Sequence, residues 1–312
     1  MTLIPVEPLP EHEVRVRAPG KINLSLRVGA READGYHPLT TVFQAVSVYE
    51  EVVATPSDER TLTVSGVQAD LVPTDASNLA LQAVEVLARH TGVDDGVHLH
   101  LDKGVPVAGG MAGGSADAAA ALVACDALWR TGLSRAELIE VAAEVGADVP
   151  FILMGHTAVG QGRGHLLTPA LTRGEFSWAF AVQDRGLSTS AAYQTFDELH
   201  GGEVGAPDPE LDVPLMQALR AGDPHALGAA LHNDLQIASL ELDPLLAEPL
   251  AVAQDAGALG VVVSGSGPTV AALARNRQHA LALAAAFTAT GVADRVLTAY
   301  GPVPGARIIS AE

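Results

Sequence analysis

Four glycines in six positions mark the segment of this chain best suited to chemistry: Pro106-Val107-Ala108-Gly109-Gly110-Met111-Ala112-Gly113-Gly114-Ser115. Glycine reaches positive φ without steric cost and lets backbone approach a ligand closely. The segment runs into an Ala-rich stretch, about Ala116 to Trp129, that reads as a helix. A helix start offers free N–H groups and the positive end of the macrodipole, so loop and helix together can cradle an anion such as a phosphate. The segment is not a Walker A motif, because Ser115 stands where the lysine belongs. Nor is it a dinucleotide fingerprint, since the strand–helix–strand unit with its acidic residue is missing. A flexible loop capped by Ser115 is the bland alternative, and it leaves four glycines unexplained.

A carboxylate that could work on such a phosphate stands at Asp148, in Gly146-Ala147-Asp148-Val149-Pro150-Phe151. Two readings are open. Asp148 can be a helix N-cap, or a half-buried carboxylate that orients and deprotonates a hydroxyl for phosphoryl transfer. Lys21 could keep that carboxylate ionised and stabilise charge on phosphoryl oxygens. Lys21 and Lys103 are the only lysines in the chain, and both stand beside glycine-bearing segments. A compact ammonium and a wide guanidinium are not interchangeable at tight sites. Tyr36 and His37 follow an Asp34-Gly35 turn. An aromatic plane beside an imidazole suits a nucleobase, although such a pair in a loop also occurs without function. Ser264-Gly265-Ser266-Gly267-Pro268-Thr269 is a second Gly/Ser loop; it could buttress the first, contact phosphate, or serve only as a turn.

These residues need elements to hold them. Residues 14–28 alternate in polarity and predict a strand, with Ile22, Leu24 and Leu26 on one face and Lys21, Asn23 and Ser25 on the other. Further strands are expected over 39–54, 61–67 and 97–102, and glycine-broken strands over 151–168. Asn78 to Arg89 has helical spacing. Ser134 to Val145 is a helix with Ser134 as N-cap and Gly146 as stop. Beyond residue 170 the pattern gives a strand at 176–183 and a loop over 201–214. Helices follow near 214–221, 224–232 and 246–257, a buried strand at 260–264, a strand at 270–274, a helix at 277–290 and a strand at 294–299. Strands and helices mix without strict alternation, which favours α+β in two domains, 1–170 and 171–312.

Composition narrows the function classes. The net charge of −19 repels nucleic-acid backbones and anionic lipid surfaces. The partner is therefore expected to be a small molecule, held by a local arrangement that overrides the global field. Cys125, the single cysteine, sits in an apolar stretch and reads as a core residue. The first seven residues lack the pattern of a signal peptide, and no charge-free apolar run is long enough to span a bilayer. A cytoplasmic enzyme is expected.

Taken together, Ala18 to Ser25 (APGKINLS), Pro106 to Ala120 (PVAGGMAGGSADAAA) and Ser264 to Thr269 (SGSGPT) resemble the three motifs of the GHMP kinases. Within that family, DGYHPL at 34–39, TVFQ at 41–44, GADVPF at 146–151 and NDL at 233–235 are similar to a branch whose acceptor is 4-diphosphocytidyl-2-C-methyl-D-erythritol, phosphorylated at its 2-hydroxyl. The resemblance runs from about residue 14 to 300. It implies an N-terminal domain like domain 2 of ribosomal protein S5 and a ferredoxin-like C-terminal domain. It implies Lys21 and Asp148 as the catalytic pair and Pro106 to Ala116 as the ATP phosphate loop, with Asn78 and Lys103 near adenine and ribose. Tyr36 and His37 would bind the cytosine, Asn23 the diphosphate or acceptor region, and Thr189 would approach the substrate. Many relatives end the loop in two serines, where this chain has Ser115-Ala116. No carboxylate cage for a metal is evident, so Mg²⁺ is expected to arrive with ATP. Other acceptors of the same family, such as mevalonate or homoserine, and a catalytically silent binding protein on the same scaffold are the competing readings.

Overall fold

The computed structural model describes residues 13–200 and 209–311. The first half is built on β1 (Val14–Val28) and β2 (Leu39–Ser57), which pair antiparallel over most of their length. A crossover follows: β3 (Arg60–Gly66), α1 (Leu79–Thr91) and β4 (Gly96–Lys103), with β3 parallel to β4 and β4 antiparallel to β2. Then come α2 (Gly113–Trp129), α3 (Arg135–Val145), α4 (Val149–Met154), β5 (Thr157–Gly162) and β6 (Leu166–Pro169), with β5 antiparallel to β2.

The second half opens with β7 (Phe176–Val182), α5 (Thr189–Leu199), α6 (Val213–Ala221) and α7 (Pro224–Ala230). It continues with β8 (His232–Asn233), α8 (Gln236–Leu242), α9 (Ala247–Asp255), β9 (Gly260–Val263), β10 (Val270–Ala274), α10 (Arg277–Thr290), β11 (Arg295–Gly301) and β12 (Arg307–Ala311). Its sheet has the antiparallel order β11-β7-β10-β9. Numbered within that sheet the order is 4-1-3-2, the ferredoxin-like arrangement. β8 and β12 both return to pair with β1, so the first sheet holds strands from both ends of the chain.

The sequence explains the layers. α2 is apolar on all sides, and its alanines let it pack closely against α1, β1 and β2; a helix of that kind is a buried one. Cys125 lies in this core, where burial pushes its thiol up to about 12 and keeps it inert. The register shift between Pro19 and Gly20 re-aims β1. Val14, Val16 and Ala18 pack into the core beneath α1 and α2, whereas Ile22 and Leu24 pack with Trp178 and Phe180 of the second sheet. β1 thus serves both cores.

Three expectations need correction. Residues 151–154 are not strand but the end of α4, which starts with Pro150 in its first turn and buries Phe151, Ile152 and Leu153. A short apolar run bounded by glycine reads either way by periodicity alone, and packing against α3 and α2 decides it. α5 and α8 were not anticipated, nor was β12. The loop expected over 201–214 falls partly on residues 201–208, outside the described ones, and its last two residues open α6.

Candidate active site

Met111 is the hinge of the glycine loop: its carbonyl accepts from the Lys21 backbone N–H at 3.0 Å, while its side chain is fully buried. Gly110 has φ +75°, and a Cβ there would collide with the carbonyl oxygen of Ser264. Only glycine fits both demands. The Ser264 hydroxyl in turn donates to the Gly110 carbonyl at 3.0 Å. The 264–269 segment therefore buttresses the first loop, and Gly265, Ser266 and Gly267 also face the same cavity. At the other end, Gln68 accepts from the Val107 N–H at 2.9 Å and donates to Asp184 at 2.9 Å.

That cavity has a volume of about 1110 Å³ and runs between the two halves of the molecule. Ala108, Gly109, Gly110, Ala112, Gly113, Gly114 and Ser115 line it, with Gly113, Gly114 and Ser115 forming the first turn of α2. The first helical backbone bond there runs from the Ala116 N–H to the Ala112 carbonyl. The N–H groups before it carry the positive end of the helix toward the cavity. Pro106, Val107, Met111 and Ala116 stand behind this surface and do not line it.

Against the loop lies the charged pair. Lys21 Nζ is 3.7 Å from Asp148 Oδ2, and it donates to Asn23 Oδ1 at 2.8 Å and to the Gly110 carbonyl at 3.0 Å. The Lys21 side chain is only 6% exposed, whereas that of Asp148 is 32% exposed and open to the cavity. Asp148 does occupy the position before α4, but its side chain makes no capping hydrogen bond. The capping reading thus has no bond to rest on. Asn23 donates to the Thr41 hydroxyl, which donates to the Ser25 carbonyl, both at 2.8 Å. This buried chain locks the amide that holds the ammonium. Asn23 lines the cavity with its side chain already engaged on both sides.

Tyr36 and His37 form the far end of the cavity. The two differ sharply: Tyr36 is 55% exposed and His37 is buried. His37 Nδ1 lies 2.9 Å from the Gly29 carbonyl. A carbonyl only accepts, so this bond assigns the proton to Nδ1. The ring stacks on Tyr193, with centroids 5.3 Å apart, and its Nε2 is 3.3 Å from Asp197. Burial raises the Tyr193 hydroxyl above its ordinary range, and the charge of Asp148 adds to the shift. Thr189 also lines the cavity and shares a hydrogen bond with Ser266 at 3.0 Å. Thr189, Tyr193 and Asp197 are four apart on α5 and so share one face. Tyr193 and Asp197 thus join Thr189 at the cavity once α5 has formed.

The side chains of two expected nucleotide contacts are engaged within the protein. Asn78 is the N-cap of α1: its side chain accepts from the Ala80 N–H at 2.8 Å and donates to the Pro73 carbonyl at 2.7 Å. Its neighbour Leu79 is the one that lines the cavity. Lys103 is buried between Glu50 and Asp117, with Nζ 2.5 Å from a carboxylate oxygen of each, and it does not reach the cavity. The ammonium is used to neutralise two buried carboxylates beneath the start of α2.

The cavity's chemistry agrees with what the chain is similar to. The profile of the GHMP kinases N terminal domain matches residues 78–156, and that of the GHMP kinases C terminal matches residues 215–293. A 4-diphosphocytidyl-2-C-methyl-D-erythritol kinase of Thermobifida fusca is 53% identical over 304 residues, covering 95% of this chain and 98% of that one. One of Leifsonia xyli is 50% identical over 304 residues, covering 95% and 99%. A crystal structure of 4-(cytidine 5'-diphospho)-2C-methyl-D-erythritol kinase superposes with a TM-score of 0.75 at 31% identity, covering 92% of this chain and 98% of that one. Matched over both halves by the family's two domains and over nearly its whole length by these relatives, the chain belongs to the GHMP kinases, in the branch of the 4-diphosphocytidyl-2-C-methyl-D-erythritol kinases.

Proposed function

We propose that this chain transfers the γ-phosphoryl group of ATP to the 2-hydroxyl of 4-diphosphocytidyl-2-C-methyl-D-erythritol, a step of the methylerythritol phosphate route to isoprenoid precursors. One observation carries the reading. A single cavity has an anion cradle at one end, an uncapped Asp148 facing Lys21 in the middle, and Tyr36, His37 and Tyr193 at the other end. The relatives named for this reaction supply the identity of the acceptor.

In this reading the phosphates lie on the N–H groups of residues 108–115, and the cytosine lies at Tyr36 and His37. Asp148 accepts the proton of the acceptor hydroxyl as its oxygen bonds to the γ-phosphorus and the bond to the ADP oxygen breaks. Lys21 supplies positive charge where the equatorial oxygens gather it. Gly110 and Asn23 fix that ammonium, so little reorganisation accompanies the transfer. Among the described residues no group of three or more His, Cys, Asp or Glu could hold a metal ion. Mg²⁺ would accompany the ATP phosphates and neutralise phosphoryl charge, with the cavity-lining Ser115 hydroxyl as an oxygen ligand. No described helix is long and apolar enough to cross a membrane. With a net charge of −19, a cytoplasmic enzyme acting on a small molecule, and binding neither nucleic acid nor lipid surface, is the fitting setting. We place the division of the two domains near residue 170, with β12 returning to the first.

An ADP-release assay across candidate acceptors tests the assignment. The cytidine compound is expected to give turnover, and mevalonate and homoserine none; the opposite pattern sinks it. Gly110→Val tests the cradle. A β-branched residue at φ +75° costs about 1–2 kcal/mol in backbone strain alone, before the collision with Ser264. In a folded variant the loop must shift to relieve this strain and clash, so the ATP dissociation constant should rise. Unchanged ATP affinity, read by titration calorimetry, would remove the loop from the phosphate site.

A further inference from the structure

The Tyr36 ring has two faces, and one of them is already covered. The guanidinium carbon of Arg163 lies 3.6 Å from the ring centroid. Arg163 comes from the turn between β5 and β6, a part of the chain remote in sequence from Tyr36. Its Nη2 donates to Asp34 Oδ2 at 2.6 Å, and Asp34 Oδ1 accepts from the Tyr36 N–H at 3.0 Å. The same carboxylate therefore holds the guanidinium by one oxygen and the tyrosine backbone by the other. Asp34 is kept below its ordinary range first by the Tyr36 N–H and also by Arg163, as this geometry requires. Tyr36 is more than half exposed and rests on a short loop, so without a backing it has freedom to turn away. Both Tyr36 and Arg163 line the cavity.

We infer that Arg163 is a positioning residue for the acceptor: it backs Tyr36 by cation–π stacking, fixes the ring plane, and leaves the other face for the nucleobase. This rests on the reading of Tyr36 as the base platform. A planar guanidinium suits the role, since it stacks on the ring and pairs with a carboxylate at once. Immobilising the ring before binding lowers the ordering cost at the moment of binding. Arg163 acts here through Tyr36, not through the phosphates of either substrate.

Titration calorimetry on the full chain, with cytidine and with CDP as probes, tests this. Arg163→Ala should weaken both ligands by the same factor, roughly three- to tenfold, with the ATP KM and kcat unchanged. Arg163→Lys keeps the charge but not the planar stack, and should recover only part of the loss. In a Tyr36→Ala background, Arg163→Ala should cost nothing more. A loss confined to CDP would show that Arg163 meets the diphosphate and would overturn the positioning role. Equal affinity of wild type and Arg163→Ala, or additive losses with Tyr36→Ala, would overturn it as well. If wild type binds neither probe, the base-platform reading falls and takes this inference with it. If wild type binds and only the Arg163 results fail, the platform stands and the backing alone is wrong.

Discussion

Asp148→Asn is expected to lower kcat by roughly 10²–10⁴-fold while leaving the melting temperature and both substrate affinities near wild type. The substitution keeps size and can still cap a helix. A capping role would therefore survive it, and the structure gives that role no bond to lose, because the side chain makes no capping hydrogen bond. What the variant loses is a charge open to the cavity and 3.7 Å from an ammonium. Lys21→Ala should also act on kcat, by removing charge from beside the transferring group. It has a second consequence: the Gly110 carbonyl and Asn23 each lose a donor. Some weakening of ATP binding should accompany it. If the two residues work as a unit, the double variant should be little worse than the poorer single one. Retention of more than about a tenth of wild-type kcat in Asp148→Asn, well outside the general-base range, would remove Asp148 as base.

The parts of this site that were legible in the sequence are the local ones. The glycine loop, the Ala-rich helix behind it and the polar face of β1 could each be read from neighbours in the chain. The wider match of motifs joined Lys21 to Asp148; nothing local says that β1 and the start of α4 meet across the cavity. The helices α4 and α5 were harder. VPFILM is too short and too uniformly apolar for its period to show. α5 opens directly after the loop following β7, and its cavity face carries Thr189, Tyr193 and Asp197, so its apolar stripe is thin. The residues at the Tyr36 end of the cavity come from the β1–β2 loop, from α5 and from the β5–β6 turn, and only the folded chain brings them together. Gln68 gives no local signal at all: its role depends on Val107 and Asp184, far away on both sides.

Replacement of Lys103 should have the largest effect on stability, because its side chain is spent on two buried carboxylates. The lysine stands out in the sequence because the chain otherwise uses arginine and because it lies beside the loop. A narrow ammonium is indeed needed there, but between Glu50 on β2 and Asp117 on α2, all three side chains being buried. Glu50 also accepts from the Gly104 N–H at 2.8 Å, so the cluster ties the end of β4 to β2 and α2. Burial raises both carboxyls, Glu50 the more, with the nearby charge of Asp117 adding to its shift and Lys103 opposing it. Lys103→Met removes that opposition and leaves two buried carboxyls without a cation. Breaking a buried pair in this way costs about 3–5 kcal/mol, which is on the order of 10 °C in melting temperature for a chain of this size. The loss should depend on pH. A carboxyl raised in the folded state binds its proton more tightly there than in the unfolded chain, so stability falls as pH rises from the ordinary carboxylate range through the folded pKa. For Glu50 that upper limit is about 8 in wild type, and without Lys103 it moves higher. The variant should therefore be closest to wild type near pH 5 and furthest from it above pH 8. A nucleotide contact predicts something different: a raised ATP KM with an unchanged melting curve at every pH. Thermal melts of both proteins from pH 5 to 9, with ATP KM measured well below the melting range, separate the two, and a flat difference in melting temperature would mean that the three side chains do not share charge as the structure has them.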